Sequence, residues 1–244
     1  MRRRDLFFAT IAIVAAWELL ALAIARPIVP PPLEVASAFW RELGRGLPLH
    51  FLASLGRVAA GIAVSVLLGV PAGLALGMSK RLDRVFAPLV YILYPIPKVV
   101  FVPVLFLVIG IGDFAKVAMI FIILFFQILV LVRDQAKAIP KALIASVRSL
   151  GAGRRALFRF VYFPACVPAI LTSLRQSVGT AVAVLYIAEL FATRWGLGYY
   201  IYFQGSTLMD YPAMYAGVVA MSLLGLGLYF GVDYAEKRLC PWLR

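Results

Sequence analysis

Long apolar runs separated by short polar segments make up most of the 244-residue chain. A helix of about 20 apolar residues spans the roughly 30 Å hydrocarbon core of a bilayer. Windows of this kind occur at residues 6–25, 58–78, 85–110, 114–132, 164–190 and 213–235. The runs are continuous rather than alternating, and lipid offers no partners for backbone polar groups, so helices are predicted rather than a β-barrel. The predicted fold is an all-α polytopic membrane protein with about six transmembrane helices.

The first apolar run allows two interpretations. It follows Arg2, Arg3 and Arg4 and ends in the letters AIAR, which resemble a signal-peptide cleavage site. However, the run is longer than an ordinary signal-peptide core, and Pro27 follows the cleavage position. We therefore favour an uncleaved first span.

Lysines and arginines are concentrated in alternate loops, which predicts the orientation because cytoplasmic loops carry the excess of basic residues. With a cytoplasmic N-terminus, six such residues fall outside, namely Arg26, Arg41, Arg45, Arg57, Lys116 and Arg194. Sixteen fall inside, namely Arg2, Arg3, Arg4, Lys80, Arg81, Arg84, Arg133, Lys137, Lys141, Arg148, Arg154, Arg155, Arg159, Lys237, Arg238 and Arg244. Both termini are predicted to be cytoplasmic, as is the loop at residues 133–163.

The overall composition excludes several functional classes. Hydrophobic residues make up 64% of the chain, and the net charge of +13 lies in clusters between apolar runs. That distribution is typical of cytoplasmic loops and not of a nucleic-acid-binding face. His50 is the single histidine, and Cys166 and Cys240 are the only cysteines, so neither a metal site nor a disulfide framework is predicted.

Prolines interrupt the third apolar run in the letters YPIPKVVFVPV, at Pro95, Pro97 and Pro103. Each proline lacks the N–H group that a helical hydrogen bond needs. Non-helical backbone at membrane depth persists only where protein or a water-filled cavity surrounds it. The third span is therefore a candidate wall of a translocation path, and Lys98 lies within it.

Further ionisable residues occur inside predicted spans, where such groups usually face a cavity or a partner. Arg175 and Glu189 lie in the fifth span and are candidates for the path. The alternative for Arg175 is a buried structural ion pair, with Glu189 as one candidate partner. A second interpretation places Glu18 and Lys98 nearer the membrane interface, because a long charged side chain such as that of lysine reaches towards water. A positive charge of Lys98 on the path would favour an anionic substrate.

Glycines recur at a spacing of four residues in two spans, at Gly69, Gly73 and Gly77 and again at Gly227 and Gly231. This pattern allows helix backbones to approach closely in lipid. Packing within one bundle and a seam between two copies both remain open.

The segment between the fourth and fifth spans predicts an elbow of two short helices. Pro140 suits a helix start, and Leu143, Val147 and Leu150 share one face. Gly151 is the expected end, in a left-handed conformation that favours glycine. A second short helix is predicted from Arg154 to residue 160. The apolar stripe packs either on the chain's own spans or in the groove of a partner.

Pro164 then opens the next span. The chain contains no GxxxxGK[ST] phosphate-binding loop, so it is not expected to convert ATP energy by itself.

These residues resemble inner-membrane permease subunits of ABC importers, whose cytoplasmic loop carries the EAA motif. The letters RSLG at residues 148–151 are similar to the core of the motif, and Pro164 is similar to its later proline. The leading Glu-Ala-Ala of the family reads Ala145, Ser146 and Val147 here, so the acidic residue is absent.

Three further stretches resemble the branch that imports nitrate, sulfonates and taurine. They are VPPPLEVASAFW at residues 29–40, the run from 54 to 117, and AELFATRWGLGYYI at 188–201. The branch's usual proline after Pro-Ile-Pro is Lys98 in this chain. The resemblance implies a small anion as substrate, with a thiamine-precursor-like or riboflavin-like solute as the alternative.

The resemblance also implies the partners and the location. They are two ABC ATPase subunits, a second permease copy and a periplasmic or lipid-anchored substrate-binding protein, in the bacterial inner membrane. ATP and Mg belong to the ATPase, and this chain is expected to bind no cofactor and to be no enzyme. An ion-coupled secondary transporter is the less favoured alternative, because no inverted repeat is visible. We expect residues 1–50 to form an N-terminal span with a periplasmic loop, and 51–244 a five-helix core.

Two sets of site residues result, one implied by the resemblance and one taken from the prolines and ionisable residues within the predicted spans. The residues assigned to ATPase coupling are Leu143, Ala145, Ser146, Val147, Arg148, Ser149, Leu150, Gly151, Arg154, Arg155, Arg159 and Pro164. The candidates for the translocation path are Pro95, Pro97, Lys98, Pro103, Arg175 and Glu189.

Overall fold

The computed structural model describes residues 3–191 and 193–241. Of the arginines used to predict orientation, Arg2 and Arg244 lie outside the described residues, as does the side chain of Arg3. The described residues form helices and no strand. The predicted all-α fold is confirmed.

Eleven α-helices occur in the described ranges. They are α1 (Arg3–Ile24), α2 (Pro32–Leu43), α3 (Leu47–Met78), α4 (Lys80–Leu93), α5 (Val102–Ile109), α6 (Asp113–Ala138), α7 (Lys141–Ser149), α8 (Arg154–Leu157), α9 (Phe163–Glu189), α10 (Leu197–Tyr202) and α11 (Tyr211–Leu239). A 3₁₀ turn covers Lys98–Phe101, and π turns cover Phe158–Tyr162 and Phe203–Thr207.

Five helical segments are long and apolar enough to cross a membrane, and a bent pair makes a sixth. The five are Phe7–Ile24, Leu47–Met78, Asp113–Ala138, Arg154–Glu189 and Tyr211–Leu239. The pair is Lys80–Leu93 with Lys98–Ile109, bent by 79°. This arrangement confirms the prediction of about six spans.

The bend in the third span lies at the predicted prolines. Helix α4 begins at Lys80, where the Ser79 hydroxyl accepts a hydrogen bond from the Leu82 N–H, and it ends at Leu93 just before Pro95. Pro103 lies in the first turn of α5, where a missing N–H breaks no helical bond. The prolines therefore divide one span into two helices joined by non-helical backbone.

The prediction of a separate second helix in the elbow, from Arg154 to residue 160, is wrong. Helix α8 continues through the π turn into α9, so Arg154–Glu189 is one segment of 36 residues. At the end of the π turn, the Phe163 N–H donates to the Phe158 carbonyl, five residues back. Such a turn changes the bonding register just before Pro164, which has no N–H to donate. Pro164 therefore lies inside the helix rather than at its start.

The chain divides into two compact units. One contains the described residues of 1–54 and 189–224, and the other contains 55–188 with the described residues of 225–244. The division after residue 50 stays a prediction.

In the second unit, glycines of α3 lie directly against α6. A Cβ atom at Gly73 would lie 2.7 Å from the Leu129 carbonyl oxygen and 2.8 Å from Val132 Cβ. One at Gly69 would lie 3.2 Å from Ile128. Helix α3 also approaches α6 closely at Gly61 and Gly77. We call this contact the glycine seam, and it shows that bundle packing is the role of the α3 glycines.

The second predicted glycine pair behaves differently. No atom lies within 4 Å of the Cβ position at Gly227 or Gly231 in the described chain. A seam with another copy of the chain stays a prediction for this face of α11.

In the first unit, α2 is tied to the residues around α10 and α11. The Tyr200 hydroxyl donates to the Glu42 carboxylate at 3.1 Å, and Arg41 pairs with Asp210 at 3.4 Å. Burial, and secondly the charge of Glu42, raise the pKa of Tyr200, so the phenol keeps the proton that it donates. The Trp17 indole donates to the Pro30 carbonyl at 3.1 Å.

Candidate functional site

The segment from Ile139 to Gly153, which we call the coupling segment, is an exposed helix with a glycine stop. Helix α7 ends at Ser149, and Gly151 has φ +83°, in the left-handed region. Its N–H donates to the Arg148 carbonyl at 2.9 Å. The predicted left-handed glycine is confirmed, and a side chain there is strained although no atom lies within 4 Å.

The predicted apolar stripe of α7 divides into two parts. Leu143 and Leu150 are 48% and 85% exposed. Val147 is half-buried and packs with Ile144 against the core of the second unit. Val147 therefore packs on the chain's own spans, and docking of Leu143 and Leu150 in the groove of a partner stays a prediction. Sequence reasoning missed Ile144, although its spacing of three from Val147 places the two on one face.

The other predicted coupling residues of α7 are also exposed. Ala145, Ser146, Arg148 and Ser149 all face outwards. The Ser149 hydroxyl donates to the Ser146 carbonyl at 2.8 Å, which closes the last turn of the helix. Because Ala145 replaces the acidic residue of the motif, this surface presents apolar and basic groups without a carboxylate.

The basic residues after Gly153 are exposed as well. Within the described chain, Arg154 and Arg155 make no ion pair, and the Arg159 guanidinium lies 5.7 Å from the Phe160 ring. Leu157 is buried between them and anchors α8 to the core. These charges are therefore available to an external anionic group.

A polar cleft of about 590 Å³ lies between α6 and α9, next to the end of α4. Seven of its eleven lining residues carry a hydroxyl or an amide side chain, and the Ser177 hydroxyl donates to the Gln127 side-chain oxygen at 3.1 Å. Asp134 is the carboxylate in the lining. The lining residues are Tyr94, Gln127, Val130, Leu131, Asp134, Gln135, Ala138, Ser173, Gln176, Ser177 and Thr180.

Sequence reasoning missed this polar cleft, but two signals point to it. Gln127 interrupts the apolar letters FIILFFQILVLV. In α9, Ser173, Gln176, Ser177 and Thr180 follow the spacing i, i+3, i+4 and i+7, which places them on one helical face. A polar stripe within an apolar span is the expected pattern for a helix that lines a water-filled cavity.

Lys98 caps the broken end of the third span. Its ammonium donates to the carbonyls of Leu93, Tyr94 and Ile96 at 3.1, 2.8 and 3.2 Å. The Phe126 ring lies 4.9 Å away. An ammonium has three N–H donors, so these carbonyls account for all of them. The side chain thus supplies hydrogen-bond donors to backbone carbonyls at the break that the prolines cause.

Lys98 also borders a cavity of about 270 Å³, whose lining includes Tyr94, Gln127 and Thr180 from the polar cleft. Pro95 lines a neighbouring cleft of about 760 Å³ that includes Tyr94 and Asp134. Lys98 and Pro95 therefore lie around the polar cleft, whereas Pro97 and Pro103 are absent from all three linings.

Arg175 forms a structural ion pair, as the alternative interpretation predicted, but Glu189 is not its partner. Its guanidinium lies 2.9 Å from Glu236 and 3.3 Å from Asp233, both in α11. Residues three or four positions apart meet on a helix, whereas Arg175 and Glu189 are fourteen apart in α9. Arg175 joins α9 to α11, and it is not in the lining of the polar cleft.

Glu189 is fully buried, and it binds the first turn of α10. Its carboxylate accepts hydrogen bonds from the Ser54 hydroxyl at 2.9 Å and from the Gly198 N–H at 2.8 Å. The Leu197 N–H donates in turn to Ser54. The first glycine of the Gly-Leu-Gly letters is explained by its backbone, because Gly196 has φ +133°, in the region that favours glycine. The carboxylate is absent from the linings described above.

The sequence profile of the family described as "Binding-protein-dependent transport system inner membrane component" matches residues 65–240. The chain belongs to this family. It is a permease subunit of an ABC importer rather than an enzyme, and ATP hydrolysis belongs to separate chains. The family implies ATPase and substrate-binding partners and a multi-pass location in the bacterial inner membrane.

Two relatives illustrate the range of substrates. The taurine transport system permease protein of Escherichia coli is 28% identical, over 99% of this permease and 90% of the relative. The formylaminopyrimidine transport permease protein of Halalkalibacterium halodurans is 29% identical, over 97% and 94%.

A solved structure supports the fold. The inward-facing MetNI methionine ABC transporter matches with a TM-score of 0.68 at 19% identity. The match covers 81% of this permease and 97% of that chain.

Proposed function

We propose that this permease forms half of a path for a small oxyanion such as a sulfonate, and that its coupling segment receives the motion of the ATPase. Two copies of the chain would enclose the path, with both termini in the cytoplasm. The observation that carries the proposal is the polar cleft, in which hydroxyl and amide groups converge between two spans.

The coupling role rests on the division of α7 into two faces. Ile144 and Val147 connect the helix to the core, while Leu143 and Leu150 are exposed beside basic residues. A helix that docks in a groove needs exposed apolar anchors. Its inner contacts then pass the movement to α3, α6 and α9. ATP shifts the permease between inward-open and outward-open states only if its partner binds the two states differently.

The substrate proposal rests on the donors around the polar cleft. Sulfonate and nitrate oxygens accept several hydrogen bonds, and the Thr180 hydroxyl can supply them together with glutamine N–H groups. The single proton of the Ser177 hydroxyl goes to the Gln127 side-chain oxygen, which fixes the orientation of that glutamine. The positive charge of Lys98 at the adjoining cavity favours an anion. Because its N–H groups are already engaged, Lys98 acts here through its field rather than as a direct ligand.

Uptake into proteoliposomes that contain the permease, its ATPase and its binding protein tests the proposal. We expect taurine uptake that requires ATP, and Ser177→Ala should lower its rate about tenfold because Gln127 loses the hydrogen bond that positions its side chain in the polar cleft. Ser222→Ala is the matched control, because this exposed serine only donates to the Val218 carbonyl. Equal rates for the two variants would contradict the role of the polar cleft.

A vitamin precursor is the second candidate substrate, and one observation favours it. Gln127, Gln135 and Gln176 each present a donor and an acceptor side by side, which suits the edge of a pyrimidine. The same proteoliposomes, offered formylaminopyrimidine in place of taurine, separate the two. ATP-dependent uptake of the pyrimidine without uptake of taurine would replace the anion proposal.

A further inference from the structure

A further cleft, of about 500 Å³, lies where α3, α4, α6 and α7 meet, and we call it the basic cleft. Its lining includes four cationic side chains, from Lys80, Arg84, Lys137 and Lys141. Asp83 is the carboxylate among the lining residues. The excess of positive charge predicts an anionic ligand.

The carboxylate in the basic cleft is already neutralised. Asp83 lies 2.5 Å from both the Arg133 and the Lys137 side chains, which tie α4 to α6. Within the described chain, Lys80, Arg84 and Lys141 make no ion pair, and all three are exposed. Three charges therefore remain to attract a ligand.

The basic cleft also has an apolar floor. Leu76, Ile139 and Tyr162 are buried there, and Met78 and Ile144 are half-buried. A free inorganic anion would use only the cationic rim. A molecule with a charged head and a hydrocarbon tail would use both the rim and the floor.

We propose that the basic cleft binds an anionic phospholipid, with the phosphate at Lys80, Arg84 and Lys141 and an acyl chain against the apolar floor. Basic pockets between spans on the cytoplasmic side suit such headgroups. Helix α4 begins beside the cleft at Lys80, and its N-terminal dipole adds to the attraction. The ligand belongs to the membrane itself and not to the transported solute.

One consequence rests on the proposed coupling function. Lys141 and Ile144 belong to α7, whereas Lys80 and Arg84 belong to α4. A phospholipid held by both helices braces the coupling segment against the bundle. ATPase activity of the assembled transporter should therefore be higher in vesicles that contain phosphatidylglycerol than in vesicles of phosphatidylcholine alone.

Native mass spectrometry of the purified transporter, titrated with phosphatidylglycerol or phosphatidylcholine, tests the binding directly. We expect selective retention of phosphatidylglycerol. Each neutralised cation should weaken it about fivefold, so the double variant Arg84→Gln, Lys141→Gln should weaken it about 25-fold. The matched control is Arg81→Gln with Arg238→Gln, which removes two exposed cations outside the cleft. Arg84→Lys keeps the charge and should retain the lipid.

Equal retention of the two lipids by the wild type would overturn the proposal, as would an equal loss in the control variant. Inorganic phosphate alone distinguishes the source of the anion: we expect it not to displace phosphatidylglycerol at millimolar concentration, and displacement would identify a phosphate site instead. The lipid measurement does not need transport. Normal binding with no effect on ATPase activity would contradict only the coupling consequence.

Discussion

The glycine seam and the coupling segment both contain glycines and apolar residues, yet they are built in opposite ways. In the seam, a Cβ atom at Gly73 would meet α6 at 2.7 Å. In the coupling segment, no atom lies within 4 Å of the Cβ position at Gly151, and Leu150 is 85% exposed. The seam leaves no space, whereas the coupling segment leaves an apolar surface uncovered.

This difference separates two uses of glycine. At Gly73 the missing side chain allows two helices to touch, which in lipid is a main source of helix association. At Gly151 the missing side chain permits φ +83° and so ends α7. The first position depends on volume, and the second depends on backbone conformation. A side chain introduced at Gly73 should therefore disturb helix packing, whereas one introduced at Gly151 should disturb the backbone conformation.

The largest expected effect is at the seam. Gly73→Val would drive a branched side chain into Val132 and the Leu129 carbonyl, and overpacking of this kind costs about 1–3 kcal/mol. We expect a midpoint of thermal unfolding lower by about 5 °C in detergent. Gly227→Val, where the described chain leaves open space, is the control. Equal unfolding midpoints for both variants would mean that the seam does not hold α3 to α6.

The next effect is loss of transport without loss of folding. Gly151→Asp forces a side chain into a left-handed conformation at a penalty of about 1 kcal/mol or more, which should disturb the end of α7. We expect normal amounts in the membrane and at least about tenfold slower ATP-dependent uptake. Gly153 has φ −76°, which any residue adopts, so Gly153→Asp is the matched control. If both variants transport alike, the conformation of Gly151 is not needed for coupling.

A smaller effect should distinguish the two faces of α7. Ile144→Ala removes half-buried contacts with the core and should lower stability by about 1 kcal/mol. Leu143→Ala removes an exposed side chain and should leave the unfolding midpoint unchanged. The midpoints of the two purified variants provide the comparison. A larger loss for Leu143→Ala would reverse the assignment of the faces.

The smallest effect concerns the basic residues after Gly153. Exposed charge pairs contribute about 0.2–1 kcal/mol, so Arg154→Gln with Arg155→Gln should weaken ATPase binding only severalfold. The difference from wild type should disappear at high salt because the charges are screened. Affinity measured at low and high salt checks this, and a difference that persists at high salt would exclude an electrostatic role.

The features that the sequence predicted correctly depend on local rules. Pro95 and Pro97 predicted the break in the third span, and the position of Gly151 predicted the end of α7. The features that it missed depend on distant neighbours. The contact of Ser177 with Gln127 joins residues 50 positions apart.

Lys98 and Arg175 also have contacts that could not be predicted from the sequence. The pattern of apolar runs showed that both are charged groups within spans, but not which partners they meet. The structure assigns Lys98 to the carbonyls that the prolines expose and Arg175 to carboxylates of α11. Proline position is readable from the chain, whereas the choice between a cavity and a partner requires the packed helices.

The central claim is that the exposed apolar surface of the coupling segment binds the ATPase. Its most direct test is the recovery of the ATPase with tagged permease carrying Leu150→Asp, compared with Leu208→Asp, an exposed leucine predicted to lie on the opposite side of the membrane. We expect Leu150→Asp to lose the ATPase at normal permease yield and Leu208→Asp to retain it. Full recovery of the ATPase with Leu150→Asp would contradict the account.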